Sequence, residues 1–289
     1  MKKYFQAIDK NILFTAIVSI LFFSLGTSLS HYLGTEVNFL DLVIGFFWVI
    51  SIQLAAKGYL LLITPEGEQA REDIFNNQDD IYRFRLLMLF IFFAGIILLS
   101  VLLIGRIQII SLWVLIFLSY VGLFLIPSIK RGINAFMPII FSIFQASIIP
   151  AFAFNLFTLG FHKSLVLMAF PLTLLLVAII ITNQFSTYAR DETLNRKTIL
   201  RTIGWRRGIL LNHAFLITSV IFLLLNVGKG LPSNLLLPIA LSIPLIILDI
   251  SWLQRIRAGY NPIWPLFNAL TNSIVFILVY LLTYTFWIN

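Results

Sequence analysis

Cysteine is absent from this chain of 289 residues. Disulfides, thiolate metal sites and a cysteine nucleophile are therefore excluded. Charged residues are also scarce, at 11% of the chain, whereas 60% of its residues are hydrophobic. A soluble domain usually carries about 25% charged residues. No P-loop, H-E-x-x-H or G-x-S-x-G motif occurs in the sequence. The composition indicates a polytopic α-helical membrane protein.

Apolar segments long enough to cross a hydrocarbon core of roughly 30 Å recur along the whole chain. We expect a single membrane domain over residues 1–289, built as an all-α bundle of nine transmembrane helices. Because nine is odd, the two termini are expected on opposite sides of the membrane. The predicted spans are 11–33, 37–63, 84–104, 109–127, 136–157, 163–182, 208–228, 233–251 and 265–287.

The basic residues are distributed unevenly between the two predicted faces. Only Arg106, Lys163 and Lys229 lie in one set of loops, whereas sixteen Lys and Arg residues lie in the N-terminus and the other four loops. By the positive-inside rule the second face is cytoplasmic, with the N-terminus in the cytoplasm of an inner or cell membrane. Topology thus accounts for most of the net charge of +8. We therefore expect no nucleic-acid partner.

Two cytoplasmic loops, at about 64–83 and 183–207, stand out by their charge. The first holds half of the chain's twelve acidic residues, and the second holds six of its basic residues. Carboxylates for a hard cation and basic side chains for phosphate oxygens would suit a metal and diphosphate site. The alternative is that both loops are charged because water solvates them.

The second loop carries a spaced motif, "NQFSTYARDETLNRKTILRTIG". It resembles the second signature of the UbiA superfamily of intramembrane prenyltransferases, N-x-x-x-D-x-x-x-D-x-x-x-G-[KR]-[KR]-T with a later Gly. Thr187 stands at the first Asp and Asn195 at the first Gly of that signature. The remaining positions are occupied as in the family by Asn183, Asp191, Arg196, Lys197, Thr198 and Gly204.

The resemblance implies a UbiA-type bundle with a central cavity capped by the two cytoplasmic loops. The first family signature, N-D-x-x-D-x-x-x-D, falls near the end of the second span. There Leu60, Leu61 and Thr64 replace the Asn and the first two Asp, and Glu68 stands at the last Asp. Since a leucine cannot ligate a metal, the sequence predicts that the main metal-binding cluster of the family is largely lost.

In the family, Mg²⁺ ions held by both Asp-rich loops bridge the diphosphate of a prenyl donor. The resemblance makes Asp191 and, more weakly, Glu68 the metal candidates. A structural alternative for Asp191 is a capping or loop salt bridge. The candidate diphosphate contacts, with a membrane-anchoring role as their alternative, are Arg196, Lys197, Arg201 and Lys57. Asp249 and Asp41 are expected at the membrane interface, and no catalytic residue is assigned.

Three functions follow from this sequence. The first is a catalytically degenerate family member that binds an isoprenoid, quinone, carotenoid or chlorin-type lipid, or serves as a subunit of a larger membrane complex. The second is an active Mg²⁺-dependent prenyltransferase that moves a prenyl group to an aromatic or lipid acceptor. The third is a transporter or scaffold unrelated to the family. The missing carboxylates favour the first function.

Overall fold

A computed structural model describes residues 10–63, 78–121, 134–158, 160–193 and 197–288. Within these ranges the regular structure is helical apart from one isolated bridge between Val227 and Leu231. Two short 3₁₀ turns, Asn134–Phe136 and Ser233–Leu235, each lie directly before an α-helix. The helices are α1 (Lys10–Tyr32), α2 (Phe39–Ile63), α3 (Gln78–Leu103), α4 (Ile110–Tyr120), α5 (Met137–Ile143), a π-helical turn (Phe144–Ile148), α6 (Ile149–Phe157), α7 (Lys163–Thr193), α8 (Ile199–Ile203), α9 (Trp205–Asn226), α10 (Leu236–Arg257) and α11 (Trp264–Ile288).

Eight segments of the described chain are long and apolar enough to cross a membrane. One of them combines α5, the π-helical turn and α6 into a single span, Met137–Phe157. The predicted fourth span contains α4, which has 11 described residues. The chain is therefore a multi-pass integral membrane protein, as expected, while the count of nine crossings remains a prediction.

The helices of the C-terminal half pack around one another in a closed group of four. Helix α7 contacts α9 and α11, and α10 contacts the same two helices. The N-terminal half joins this group through α1, which packs against α11, and through α5 and the π-helical turn, which pack against α7. Helix α1 also packs against α6 and α2. Helix α3 packs on α2, and α4 packs on α6. The main apolar core runs through both halves, from Phe22 and Trp48 to Leu216 and Leu278.

The contact between α1 and α6 depends on a small residue. A Cβ atom added to Gly26 would overlap the backbone carbonyl oxygen of Pro150. Close approach of helix backbones at glycine is a common way for membrane helices to pack, because lipid offers no hydrophobic drive for their association. Gly26 thus sets the distance between α1 and α6.

Helix α7 carries a proline in its interior and is held to α9 at that point. Pro171 cannot donate to the carbonyl of Leu167, one turn earlier. The side-chain amide of Asn226 approaches that carbonyl oxygen at 3.5 Å, and Ser219 donates to the carbonyl oxygen of Pro171 at 2.7 Å. Polar side chains of a neighbouring helix thus compensate for the interruption, as expected away from water.

Helix α7 extends well beyond the predicted sixth span. It has 31 residues and ends at Thr193, not near 182. The predicted loop 183–207 is therefore mostly helical, since α8 and the start of α9 also lie within it. Likewise α3 begins at Gln78, inside the predicted loop 64–83. In both segments a polar, charged sequence continues the helix beyond its apolar run, so hydropathy alone placed the end of α7 too early and the start of α3 too late.

On the opposite side of the bundle an ion pair joins two helix ends. The guanidinium of Arg106 donates to the carboxylate of Asp41 at 2.6 Å, and it also donates to the carbonyl oxygen of Leu102. Both side chains are partly exposed, with 25% and 14% of their surface accessible. The expected interfacial position of Asp41 agrees with this partial exposure.

Candidate functional site

The C-terminal turns of α7 place the motif residues Asn183, Thr187 and Asp191 along one side of the helix, because they are spaced by four residues. The hydroxyl of Thr187 donates to Oδ2 of Asp191 at 2.8 Å. Asp191 is buried, with 3% of its surface accessible. The side chain at the position of the first family Asp is thus a hydrogen-bond donor to the second one. A hydroxyl in this place adds no negative charge for a metal.

The segment after α7 folds back onto it through several polar contacts. Thr198 caps α8, since its side-chain oxygen accepts from the backbone N–H of Arg201 at 3.2 Å. Gln184 of α7 accepts from the backbone N–H of Leu200 at 3.0 Å. The guanidinium of Arg201 donates to the backbone oxygen of Asp191 at 3.2 Å. These contacts fix the orientation of α8 against the end of α7.

Gly204 separates α8 from α9 with a φ of 85°, a conformation that glycine adopts without steric cost. Trp205 then packs edge-on against Phe185 and Tyr188 of α7, with ring centroids 4.7 and 5.3 Å apart. The motif glycine therefore has a local structural role. It turns the chain so that α9 returns along α7.

The predicted metal and diphosphate residues lie only partly within the described chain. The described residues contain no group of three or more His, Asp or Glu that could hold a metal ion. Asp191 is described, but Glu68 lies outside the described residues. Arg196 and the side chain of Lys57 also lie outside them, and Lys197 is exposed. The roles of these residues in binding metal or diphosphate remain predictions.

A second polar region, which the sequence interpretation missed, lies within the group of α7, α9, α10 and α11. We call it the polar belt. Its members are joined by hydrogen bonds across helices: Asn212 to Thr182, Asn183 to Asn272, Asn268 to Ser186, and Thr271 to Asp249. Thr182, Asn212, Asp249 and Thr271 have no accessible surface, whereas Asn183, Ser186, Asn268 and Asn272 are half-buried.

Asp249 is the ionisable member of the polar belt. Its expected position at the membrane interface remains a prediction, but within the bundle it is fully buried, and its Oδ1 accepts a hydrogen bond from the hydroxyl of Thr271. Helix α10 extends to Arg257, beyond the predicted end of the eighth span at 251. Asp249 therefore lies well inside the helix. Its other oxygen, Oδ2, is buried and has no hydrogen-bond partner.

The sequence did contain a signal for the polar belt. An ionisable residue within a transmembrane segment is rare and marks a functional position by default. Asp249 meets that description, and the asparagines Asn212, Asn268 and Asn272 also interrupt apolar helices. The signal is weak because the members come from four separate segments with no common spacing.

No family model and no curated protein matches the chain. Solved structures do match it. One, from a study of digeranylgeranylglyceryl phosphate synthase in membranes, is 14% identical with a TM-score of 0.68, and the alignment covers 99% of this chain and 98% of that one. The apo structure of a UbiA homolog from Aeropyrum pernix K1 is 15% identical with a TM-score of 0.61, covering 91% and 94% of the two chains.

These likenesses extend over nearly the whole of each chain and show a shared fold. The resemblance noted at the second loop is thereby confirmed at the level of architecture. The chain has the fold of UbiA-type prenyltransferases. At this level of identity the likeness carries no residue role from one protein to the other.

Proposed function

Starting from the UbiA-type fold, we propose that the protein is a catalytically degenerate member of this superfamily that binds an isoprenoid-type lipid without transferring a prenyl group. The lipid class includes prenyl phosphates, quinones, carotenoids and pigments with a prenyl tail. The protein would act either as a lipid-binding protein by itself or as a subunit of a membrane complex. The full-length similarity to UbiA-type structures supports the lipid class.

The observation that carries the proposal is the pairing of Asp191 with Thr187. Where the family signature has two carboxylates one turn apart, this chain has one carboxylate whose Oδ2 accepts a hydrogen bond from a hydroxyl at 2.8 Å. Mg²⁺ is bound through carboxylate and phosphate oxygens in near-octahedral geometry. Among the described residues the donor set therefore does not fit a family-type magnesium site.

Support for a lipid with an anionic head group comes from the basic residues that remain at motif positions. Arg196 and Lys197 keep the spacing of the family's basic pair. Lys197 is exposed beside the capped start of α8, so its ammonium is accessible to a head group at the membrane surface. One of the solved neighbours is, by its name, a synthase of a phosphate that carries geranylgeranyl groups. A prenyl phosphate would suit both features.

Lipid extraction from the natively purified protein tests this proposal. Mass spectrometry should find an isoprenoid, quinone or pigment that is enriched over the surrounding membrane lipids. The double change Arg196→Ala with Lys197→Ala should deplete an anionic ligand severalfold. The matched control is Arg255→Ala with Arg257→Ala, which removes two exposed basic residues at the end of α10 and leaves the motif intact. A preparation that carries only bulk phospholipid would contradict this proposal and favour the scaffold function.

The topology belongs to the same proposal: nine crossings, a cytoplasmic N-terminus and a central cavity capped on the cytoplasmic side. Since the chain has no cysteine, single cysteines can be introduced without background labelling. We expect cysteines at Glu192 and Arg206 to react with an impermeant reagent only from the cytoplasmic side. Cysteines at Glu36 and Lys229 should react only from the other side. Labelling of all four positions from one side would contradict the proposed topology.

A further inference from the structure

We propose that the polar belt binds a monovalent alkali cation of the sodium type, held by Asp249 together with the side-chain oxygens of Asn212 and Asn183. This site shares Asn183 with the spaced motif and does not involve Asp191. It does not depend on whether the protein binds an isoprenoid lipid, because its members are linked by hydrogen bonds between helices of the C-terminal half.

Three hydrogen bonds place the members of the polar belt at one level of the bundle. Asn212 of α9 bonds to Thr182 of α7 at 2.6 Å, and the next residue, Asn183, bonds to Asn272 of α11 at 3.0 Å. Thr271, which precedes Asn272, bonds in turn to Asp249 of α10. Because a helix rises about 1.5 Å per residue, these linked neighbours lie within one helical turn of each other. All four helices thus contribute to a single layer.

Most of the unpaired side-chain atoms of this layer are oxygens, and the exception is Nδ1 of His213, the residue next to Asn212 on α9. Oδ1 of Asn183, Oδ1 of Asn212 and Oδ2 of Asp249 are buried without a partner, and so is Oδ1 of Asn268 one turn away. A buried acceptor without a donor costs about 1–3 kcal/mol. Several acceptors of one kind in one layer therefore call for a ligand that supplies positive charge.

The amide orientations that leave these oxygens unpaired are fixed for two of the three asparagines. Nδ2 of Asn212 donates to the backbone oxygen of Ala178 at 2.8 Å, which a carbonyl in its place could not do. Asn268 donates to Oγ of Ser186, whose own proton goes to the backbone oxygen of Asn183. A flipped amide would break these bonds. The unpaired oxygens of Asn212 and Asn268 therefore follow from the hydrogen-bond network.

Charge balance selects a monovalent ion. Among the residues that the structure describes, no basic side chain forms an ion pair with Asp249. A carboxylate without a counter-charge in a low-dielectric interior is strongly disfavoured. One monovalent cation would neutralise it, whereas a divalent ion would leave a net buried positive charge. Oxygen ligands from amides and a carboxylate suit a hard cation.

The half-buried residues indicate how an ion reaches the layer. Asn183, Asn268 and Asn272 retain some accessible surface at the contact of α7 with α11, while Asp249 and Asn212 have none. The polar side chains therefore lead from an accessible edge to the enclosed carboxylate. Successive oxygen ligands along this path would replace the hydration water of an entering cation one step at a time.

The test uses the purified full-length chain in detergent or nanodiscs. At constant ionic strength, sodium chloride should raise the melting temperature by about 3 °C or more relative to N-methyl-D-glucamine chloride, because a ligand of the native state stabilises it. Equilibrium binding of radioactive sodium should saturate near one ion per chain. Asp249→Asn should weaken sodium binding at least tenfold, and Asn212→Val should weaken it severalfold.

Asp41→Asn is the matched control, since Asp41 is a hydrogen-bonded carboxylate that pairs with Arg106 at the far end of the bundle. Its sodium response should equal that of the unmodified protein. Equal behaviour of the unmodified protein in sodium and in N-methyl-D-glucamine, with no saturable sodium binding, would overturn the proposal. It would also be overturned if infrared spectra in saturating sodium at neutral pH showed Asp249 as a protonated carboxylic acid.

Discussion

The motif segment from Thr187 to Gly204 and the polar belt are two polar regions of the C-terminal half that satisfy their polar groups differently. In the motif segment, Asp191, Thr198 and Arg201 contact neighbours in the same stretch of chain. In the polar belt the partners come from four helices, and several buried oxygens have none. The regularly spaced residues thus make local contacts, which cap α8 and hold it against the end of α7. Apart from Asn183, the polar-belt residues with unpaired oxygens have no regular spacing in the sequence.

This difference has a physical origin. Helix ends expose backbone groups that nearby side chains can satisfy, so a polar residue there finds a partner within a few residues. In the middle of a membrane helix the backbone is already bonded, and a polar side chain must find its partner on another helix. Polar residues of the second kind cost more to bury. The presence of such buried polar residues in α7, α9, α10 and α11 is therefore the stronger indication of a ligand.

The largest effect is expected for Asn212→Ala. The side chain is fully buried and donates to both the backbone of Ala178 and the hydroxyl of Thr182. Losing two bonds between α7 and α9 and leaving a void should lower the free energy of unfolding by about 2 kcal/mol. Unfolding in mixed micelles with increasing SDS measures this change in the free energy of unfolding. The conservative change Asn212→Gln should recover part of the loss, and an unchanged stability of the alanine variant would contradict the cross-helix role.

The next comparison sets Thr271→Val against Thr187→Val, since each hydroxyl donates to a carboxylate. Removing the hydroxyl of Thr271 deprives Asp249 of its one described partner, so we expect a loss of about 1.5 kcal/mol. Asp191 keeps further partners and lies beside an exposed Thr187, so that loss should stay below about 0.5 kcal/mol. Equal losses in the two variants would show that the two regions do not differ as described.

A smaller effect is expected for Thr198→Ala, which removes the N-cap of α8. A lost cap costs typically about 1 kcal/mol in a stable helix, and less here because α8 has five residues and Gln184 also accepts from it. Thr198→Ser keeps the oxygen and should retain the original stability. Hydrogen exchange of the α8 amides measures the local effect. If Thr198→Ala left the protection of these amides unchanged, capping would not be the role of the motif threonine.

Much of the fold was predictable, because apolar periods and the need to satisfy the backbone in lipid leave few choices. Each of the nine predicted spans overlaps at least one of the described helices. The helix ends were less predictable, as at Thr193 and Arg257, because polar residues continue a helix into water once packing supports it. The crossing count depends on α4, of which 11 residues are described.

The candidate site was predictable only in part. The spacing from Asn183 to Gly204 identified the segment in which α7 turns back through α8 into α9, and it identified the buried Asp191. It did not show that Thr187 would donate to Asp191 or that Arg201 would contact backbone. It also gave no sign that Asp249 would meet Thr271. Contacts of this kind depend on helix rotation and packing, which residue spacing within one segment does not determine.

The central claim is that the motif segment maintains the fold without forming a magnesium site for prenyl transfer. Incubation of the purified protein with radiolabelled prenyl diphosphates and a panel of aromatic and lipid acceptors, with Mg²⁺ or with a chelator, tests it most directly. We predict no chelator-sensitive product and no difference between the unmodified protein and Asp191→Asn. Robust Mg²⁺-dependent product formation that is abolished both by chelator and by Asp191→Asn would contradict the claim and establish an active transferase.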